Sequence, residues 1–303
     1  MQLIANGTQG PTTVPAKQTP VGTPGYAYGG PPGSTPATDL DPDVFNTILA
    51  ELQNVVMGAG LTLDPTNNAQ VLAAVKLFAT GRLLNVQVFS ASGTYTPTTG
   101  MASVIAELVG GGGGVGGVPV TSSTQNAVSG GGGAGSYIKG RLTAAQVGAS
   151  VPVTIGPGGG AGASGSGGGN GGTSSFGAFL SAPGGSGAPP SAAVSLSAGY
   201  AYAAGGGNGG TLPSGNAVSA GTGQAGNIGL ITSSALINGG TGGPSHFGAT
   251  PPSLSVSLRG SSNAPVSGAS PGAGASGGSN NTSCAAQGGA SGASGLLIVW
   301  EFS

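Results

Sequence analysis

Charged side chains are scarce: of 303 residues, six are Lys or Arg and seven Asp or Glu, and beyond position 82 only Glu107, Lys139, Arg141, Arg259 and Glu301 remain. A nucleic-acid binder needs a basic stripe to neutralise phosphates, and so few scattered charges supply none. Electrostatic attachment to an anionic membrane is excluded for the same reason. Cys284 is the only cysteine, so stability has to come from packing or assembly rather than from an intrachain disulfide framework. With that one cysteine and one histidine, His246, there is no ligand set for zinc, and no metal or cofactor is expected. No apolar run approaches the roughly 18 residues of a membrane span. The first ten residues lack the basic start and apolar core of a secretory signal, which leads to the expectation of a protein made in the host cytoplasm and carried outside as part of a virion.

Catalytic chemistry has equally little to draw on. The G-x-S-x-G spacing around Ser270 and Ser276 arises by chance among 67 glycines, and neither serine follows an apolar strand as a nucleophile elbow would. In the later part of the chain, Glu107 and Glu301 are the only carboxylates available for paired acid–base work, and both lie inside apolar strands, where a cross-strand pair with Lys139 or Arg141 is expected instead. The expectation is that the protein is not an enzyme.

What is abundant is glycine, 67 residues, together with 22 prolines. Residues 1–38 are rich in Pro, Gly and Thr and read as an extended virion-attachment arm, with Tyr26 and Tyr28 as its contact residues. Residues 39–85 change character. Asp41-Pro42-Asp43 offers an N-cap, a proline in the first turn and an acidic start, ahead of Val44, Phe45, Ile48, Leu52, Val55 and Val56 at helical spacing. That helix should stop near Gly58. A second, carrying Val71, Leu72, Val75 and Phe78, should begin after Asp64-Pro65 and end by Gly81. Two such short helices bury too little to stand alone, so Phe45, Ile48, Leu52 and Val55 are expected to meet copies in a homotrimer or the strand that follows.

From residue 86 to 303 the periodicity is two, as in Val151-Pro152-Val153-Thr154-Ile155 and Leu254-Ser255-Val256-Ser257-Leu258, the mark of half-buried strands. Residues 102–109 and 296–302 are apolar on both faces, and Trp300 and Phe302 are expected to anchor the core. The fold expected is mainly β: an antiparallel sandwich with glycine-rich, partly polyglycine-II segments, preceded by the arm and the helical hairpin. Glycine brings no side chain and loses the most backbone freedom on folding, so an ordered glycine tract needs a dense external set of hydrogen bonds. Extended helices of three residues per turn provide one when several pack side by side. The tracts 110–114, 130–133, 158–172, 205–210, 239–243 and 272–278 either do this or serve as loops. Two unequal repeats accompany them: Gly172–Ala178 recurs as Gly243–Ala249, with His246 in the place of Ser175, and 167–173 recurs as 205–211.

Two groups of residues carry a resemblance. Gly22-Thr23-Pro24-Gly25-Tyr26-Ala27-Tyr28, Asp41–Asn46, Glu51–Val56 and Asp64–Leu72 are similar to the start of tail-fibre proteins from Mu-like transposable phages and prophages. Phe89–Pro97, Val104–Val109, Val151–Gly160, Gly171–Gly177 and Gly295–Glu301 resemble the glycine-rich C-terminal domain of many such fibres. The resemblance implies an N-terminal attachment region that meets other tail or baseplate proteins, a trimer, and a distal domain whose loops touch a bacterial surface receptor, whether pilus, polysaccharide or outer-membrane protein. Within the longest inserts, 118–129, 186–203 and 211–238, the residues expected to make that contact are Gln125, Asn126, Tyr200, Tyr202, Asn216 and Asn227. The alternative is a structural baseplate or tail component that binds no host molecule.

Overall fold

A computed structural model describes residues 42–195, 201–233, 236–250, 252 and 255–303. The chain divides into two compact units, Met1–Arg82 and Leu83–Ser303. Tyr26 and Tyr28 of the expected arm, and Tyr200, lie outside the described residues.

In the first unit, α1 (Pro42–Gly58) starts at the proline and ends at the glycine that the sequence marks. The turn after it is closed by Asp64, whose carboxylate accepts hydrogen bonds from the Thr66 amide (2.8 Å) and hydroxyl (2.7 Å), and these hold its pKa below the ordinary value. Helix α2 (Gln70–Phe78) follows, anchored by the Gln70 amide, which donates to the Thr62 carbonyl. Val56 and Ala74 are fully buried, whereas Phe45, Ile48, Leu72, Val75 and Phe78 each keep 51–59% of their surface exposed, and Val44 45%. Leu52 and Val55 are half-buried.

The second unit is built of antiparallel strands. In chain order these are β1 (Leu83–Phe89), β2 (Gly93–Tyr95), β3 (Ser103–Val109), β4 (Gln125–Val128), β5 (Tyr137–Thr143), β6 (Val151–Thr154), β7 (Ser174–Phe176), β8 (Leu180–Ala182) and β9 (Ala193–Ser195). There follow β10 (Tyr202–Ala204), β11 (Ser214–Gly215), β12 (Ala217–Gly221), β13 (Gly229–Ser233), β14 (Leu236–Asn238), β15 (Ser255–Val256), β16 (Ser262–Asn263), β17 (Ser279–Asn280) and β18 (Leu296–Phe302). One sheet has the order β1-β18-β3-β5-β12 and a second β11-β8-β7-β6-β2; β10-β13-β14-β15 and β16-β17-β4-β9 form two more.

The main apolar core takes Val104, Leu108, Ile138, Leu142, Leu297 and Val299 from the first of these sheets, and Tyr95, Val151, Val153, Phe176, Leu180 and Ala182 from the second. Burying side chains of this size is worth about 1.5–3 kcal/mol each. A smaller core gathers Val128, Ala204, Ile231, Ile237 and Val256.

The alternation of β18 corrects one expectation. Leu297, Val299 and Glu301 point into the core, while Ile298, Trp300 and Phe302 are only half-buried on the opposite face. Cross-strand partners share a face, so Trp300 lies between Val86 and Ile105, and Ile298 between Val88 and Glu107. The aromatic residues therefore cover the outer face, and a carboxylate occupies the core position. The expected pairing of Glu107 is present: it sits directly opposite Lys139, whose Nζ is 2.6 Å from its Oε1.

Between the strands, the glycine segments bond to one another with a period of three. The segment 130–136 donates from Gly131 and Ala134 to Asn227 and Gln224, from Gly132 and Gly135 to Ala275 and Gly272, and from Gly133 and Ser136 to Ser186 and Pro183. Its carbonyls, with that of the preceding Ser129, accept from Gly207 and Gly210, from Gly240 and Gly243, and from Gly110 and Gly113. Six other segments thus surround it. The segment 110–117 is surrounded in the same way, by 130–136, 156–163, 167–172, 183–188, 272–278 and 288–295. The N···O distances within the array are mostly 2.7–3.1 Å, and nearly every buried amide has its partner.

Such close approach leaves no room for side chains at most glycine positions of the two central segments. A Cβ on Gly113 would fall inside the Ser186 carbonyl, and one on Gly132 inside the Gly113 carbonyl, both backbone atoms. Where the array does admit side chains they cluster: Val115, Ala188, Ala275 and Ala290 form a small buried group. Segments 183–188, 222–227 and 288–295 belong to the array although their sequences mix glycine with Pro, Ser, Ala, Gln and Asn, so parts of the expected loops 186–203 and 211–238 are held in its interior or at its rim.

Candidate functional site

Most of the residues expected to contact a receptor are tied into the framework. Asn126 lies in β4 with 2% of its surface exposed. Gln125, beside it, is half-buried and its side-chain oxygen accepts from the Ser122 amide. The Asn227 backbone is part of the glycine array, and its side-chain amide donates to the Thr241 hydroxyl. Tyr202 is half-buried in β10 against the smaller core. Asn216 is exposed, between β11 and β12, where its amide donates to the Phe179 carbonyl at 3.0 Å.

A concave site forms elsewhere, where β5 and β12 leave the array. A cleft of about 360 Å³ is lined by Tyr137, Ser219, Thr222, Gln224, Ser245 and His246, with glycines between them. The Tyr137 and His246 rings stack with centroids 3.5 Å apart and planes at 15°, and Phe247 meets Tyr137 edge-on at 6.1 Å. His246 is exposed. The Tyr137 phenol is pushed up to about 12, chiefly by burial and secondarily by the charge of Glu107, so it stays protonated and can both donate and accept a hydrogen bond.

The walls of the cleft are set by the array. Ala134 donates to the Gln224 carbonyl, Gly223 to Gly210, and Gly243 to Gly132, all within 2.8–2.9 Å. The Ser245 hydroxyl donates to the Pro271 carbonyl and accepts from the Phe247 amide. Sequence reading left this cleft unnoticed because Tyr137 and His246 are more than a hundred positions apart. The one signal was the repeat in which His246 replaces Ser175. Of the two repeat phenylalanines, Phe176 enters the main core fully buried, while Phe247 remains half-buried beside the stack.

The buried carboxylate Glu301 makes a second polar cluster. Its Oε1 accepts from the Tyr95 hydroxyl (2.6 Å), the Gln87 amide (3.1 Å) and the Thr98 backbone amide (3.2 Å). Burial acts to raise its pKa, but the hydrogen bonds from Thr98, Tyr95 and Gln87 outweigh it and hold the carboxyl below its ordinary value. Tyr95 is raised in turn, by burial first and by Glu301 second. The carboxyl ties β1, β18 and the β2–β3 connection together and lies far inside the sheet packing, which is the place of a structural link.

Residues 88–300 match the family described as a glycine-rich domain, and the chain belongs to that family. Over 58 residues it is also 38% identical to a protein of Escherichia coli (strain K12) named Uncharacterized protein StfP. That match covers 19% of this chain and 28% of the relative, so the chain spans well under two thirds of the relative's length.

Proposed function

We propose that this protein is a non-enzymatic adhesin, the receptor-binding tail fibre of a bacteriophage, which attaches the virion to a bacterial host as a homotrimer. In this reading residues 1–38 dock onto other tail or baseplate proteins and the helical pair and neighbouring residues bring the three chains together. Residues 86–303 form a sandwich of two sheets continued by a lattice of polyglycine-II helices. The observation that carries the reading is the glycine array itself: two segments, each hydrogen-bonded on six sides, turn bare backbone into a rigid block with few charges. Such a block suits the holding of surface loops outside a cell, where rigidity lowers the entropic cost of binding and repeated copies add avidity. The exposed apolar side chains of Phe45, Ile48, Leu72, Val75 and Phe78 support self-association, as do Val86 and Val88 on the outer face of the first sheet.

The test uses the full chain. Its mass in solution should be three times that of one chain, and the fluorescently labelled protein should adsorb saturably to one or more strains in a panel of Gram-negative bacteria, Escherichia coli K-12 among them. A monomer that adsorbs to none of them would overturn the adhesin reading.

A further inference from the structure

The cleft beside the Tyr137–His246 stack is a concave site, among the described residues, lined by stacked aromatic rings together with several hydroxyl and amide side chains, and neither the fold nor the family likeness assigns it a ligand. Its size falls at the low end of the roughly 300–1,000 Å³ of small-ligand sites. A protein receptor would be gripped over a broader face, about 800 Å² on each partner. The chemistry of the lining narrows the choice further. It contains no Asp, Glu, Lys or Arg, so a phosphate, uronate or amine would be stripped of water with no countercharge.

What the lining does offer is an aromatic surface, the hydroxyls of Ser219, Thr222 and Tyr137, and the Gln224 amide. A pyranose matches this set. Its C–H face lies against an aromatic ring, whose electron-rich face attracts polarised C–H groups, while its rim hydroxyls need partners that both donate and accept. We infer that this cleft binds a neutral sugar unit, the form in which a bacterial surface polysaccharide would present itself. The inference rests on the adhesin reading for its biological setting and names the receptor class within it. The glycine array holds the walls at fixed spacing, so binding needs little rearrangement, and the modest affinity of one cleft is multiplied by the copies in an assembly.

His246 is the only histidine in the chain, and Trp300, on the outer face of β18, the only tryptophan. Full-length protein carrying carbon-13 histidine therefore gives a single imidazole signal from the cleft, with Trp300 emission as a control elsewhere. The probes are glucose, galactose, mannose, N-acetylglucosamine, N-acetylgalactosamine, rhamnose and fucose, each titrated through the millimolar range. At least one should move the imidazole signal saturably and leave Trp300 emission unchanged. Ser219→Trp, which fills the cleft from an exposed position, should abolish the response.

A second variant, His246→Ser, replaces the stacked ring by the residue found in the other copy of the repeat. Read through saturable quenching of cell adsorption by the active sugar, it should weaken binding about tenfold at an unchanged melting temperature. If none of the sugars moves the signal, or if the response persists in Ser219→Trp, the cleft is not a saccharide site. Adsorption to cells that continues undiminished in Ser219→Trp overturns the cleft as the receptor site while leaving the adhesin reading standing. A sugar response in a protein that adsorbs to no cell upholds the cleft and sinks the adhesin reading.

Discussion

In the core around Leu108 and Phe176, side chains fill the space between sheets and the backbone pairs within each sheet; in the array around Gly113 and Gly132, the backbone does both jobs. The first arrangement is stabilised by apolar burial and tolerates small adjustments of volume, because neighbouring side chains can shift. The second is stabilised by hydrogen bonds radiating in six directions, and the groups that would have to move are carbonyls already committed to other segments. Rigidity in a side-chain core thus depends on chemistry that is written residue by residue. In the array it depends on the absence of atoms.

The largest expected effect follows from that difference. Gly113→Ala adds one methyl group against the Ser186 carbonyl, and a loss of about 3 kcal/mol or more is expected, read as a fall in the denaturation midpoint or as failure to fold. Gly160 lies in the same array with nothing within 4 Å of its notional Cβ, so Gly160→Ala should change stability by no more than about 1 kcal/mol in either direction. Equal losses at both positions would erase the distinction between interior and rim.

Removing charge from the side-chain core should act at an intermediate level. Glu301→Gln keeps the shape but weakens the acceptor for Tyr95, Gln87 and Thr98, at an expected cost of about 1–3 kcal/mol. Because the folded-state pKa of Glu301 lies below its ordinary 4.5, its contribution is fully present above that value and is lost as the pH falls through the folded-state pKa. Tyr95 works in the opposite sense: raised above its ordinary 10.0, it contributes below that value and loses its contribution as the pH rises through the folded-state pKa. Chemical denaturation across pH should show the acid loss in the native protein and its absence in Glu301→Gln.

The smallest effect belongs to the surface. Lys139→Ala breaks the pair with Glu107 on the outer face, where Lys139 is 36% exposed, and should cost less than about 1 kcal/mol, an effect that shrinks further in high salt. A larger loss would mean that the outer face is covered in the working assembly.

Legibility in the sequence divided along the same line as the two kinds of packing. The ends of α1 were readable because Pro42 and Gly58 act through local geometry, whereas Asp64-Pro65 marks a turn and α2 starts further on, at Gln70. The strand at 151–154 was readable because alternation of apolar and polar residues has a period that only a sheet satisfies, and that at 103–109 because a short apolar run fits a central strand. The run at 296–302, apolar except for Glu301, gave the strand but hid its orientation: with both faces largely apolar, nothing local says that Glu301 points inward and Trp300 outward. That choice depends on Tyr95, Gln87 and Thr98, which are brought to the carboxylate from two hundred residues away. The mixed segments 183–188, 222–227 and 288–295 were not legible as parts of the array for a related reason, since membership in the array depends on where the small residues fall relative to neighbours, not on glycine content alone.

By itself, then, the amino-acid sequence determined that this chain would be a charge-poor, mainly β protein with a helical pair ahead of it and glycine segments that must find partners outside themselves. Only the tertiary structure decided which segments lie at the centre of the array, which face of β18 is the core, and that Tyr137 and His246 share a cleft. Local periodicity fixes what a segment can become, because it acts over a few residues; the hydrogen bonds and ring contacts that fix where it goes join residues that the chain itself keeps far apart.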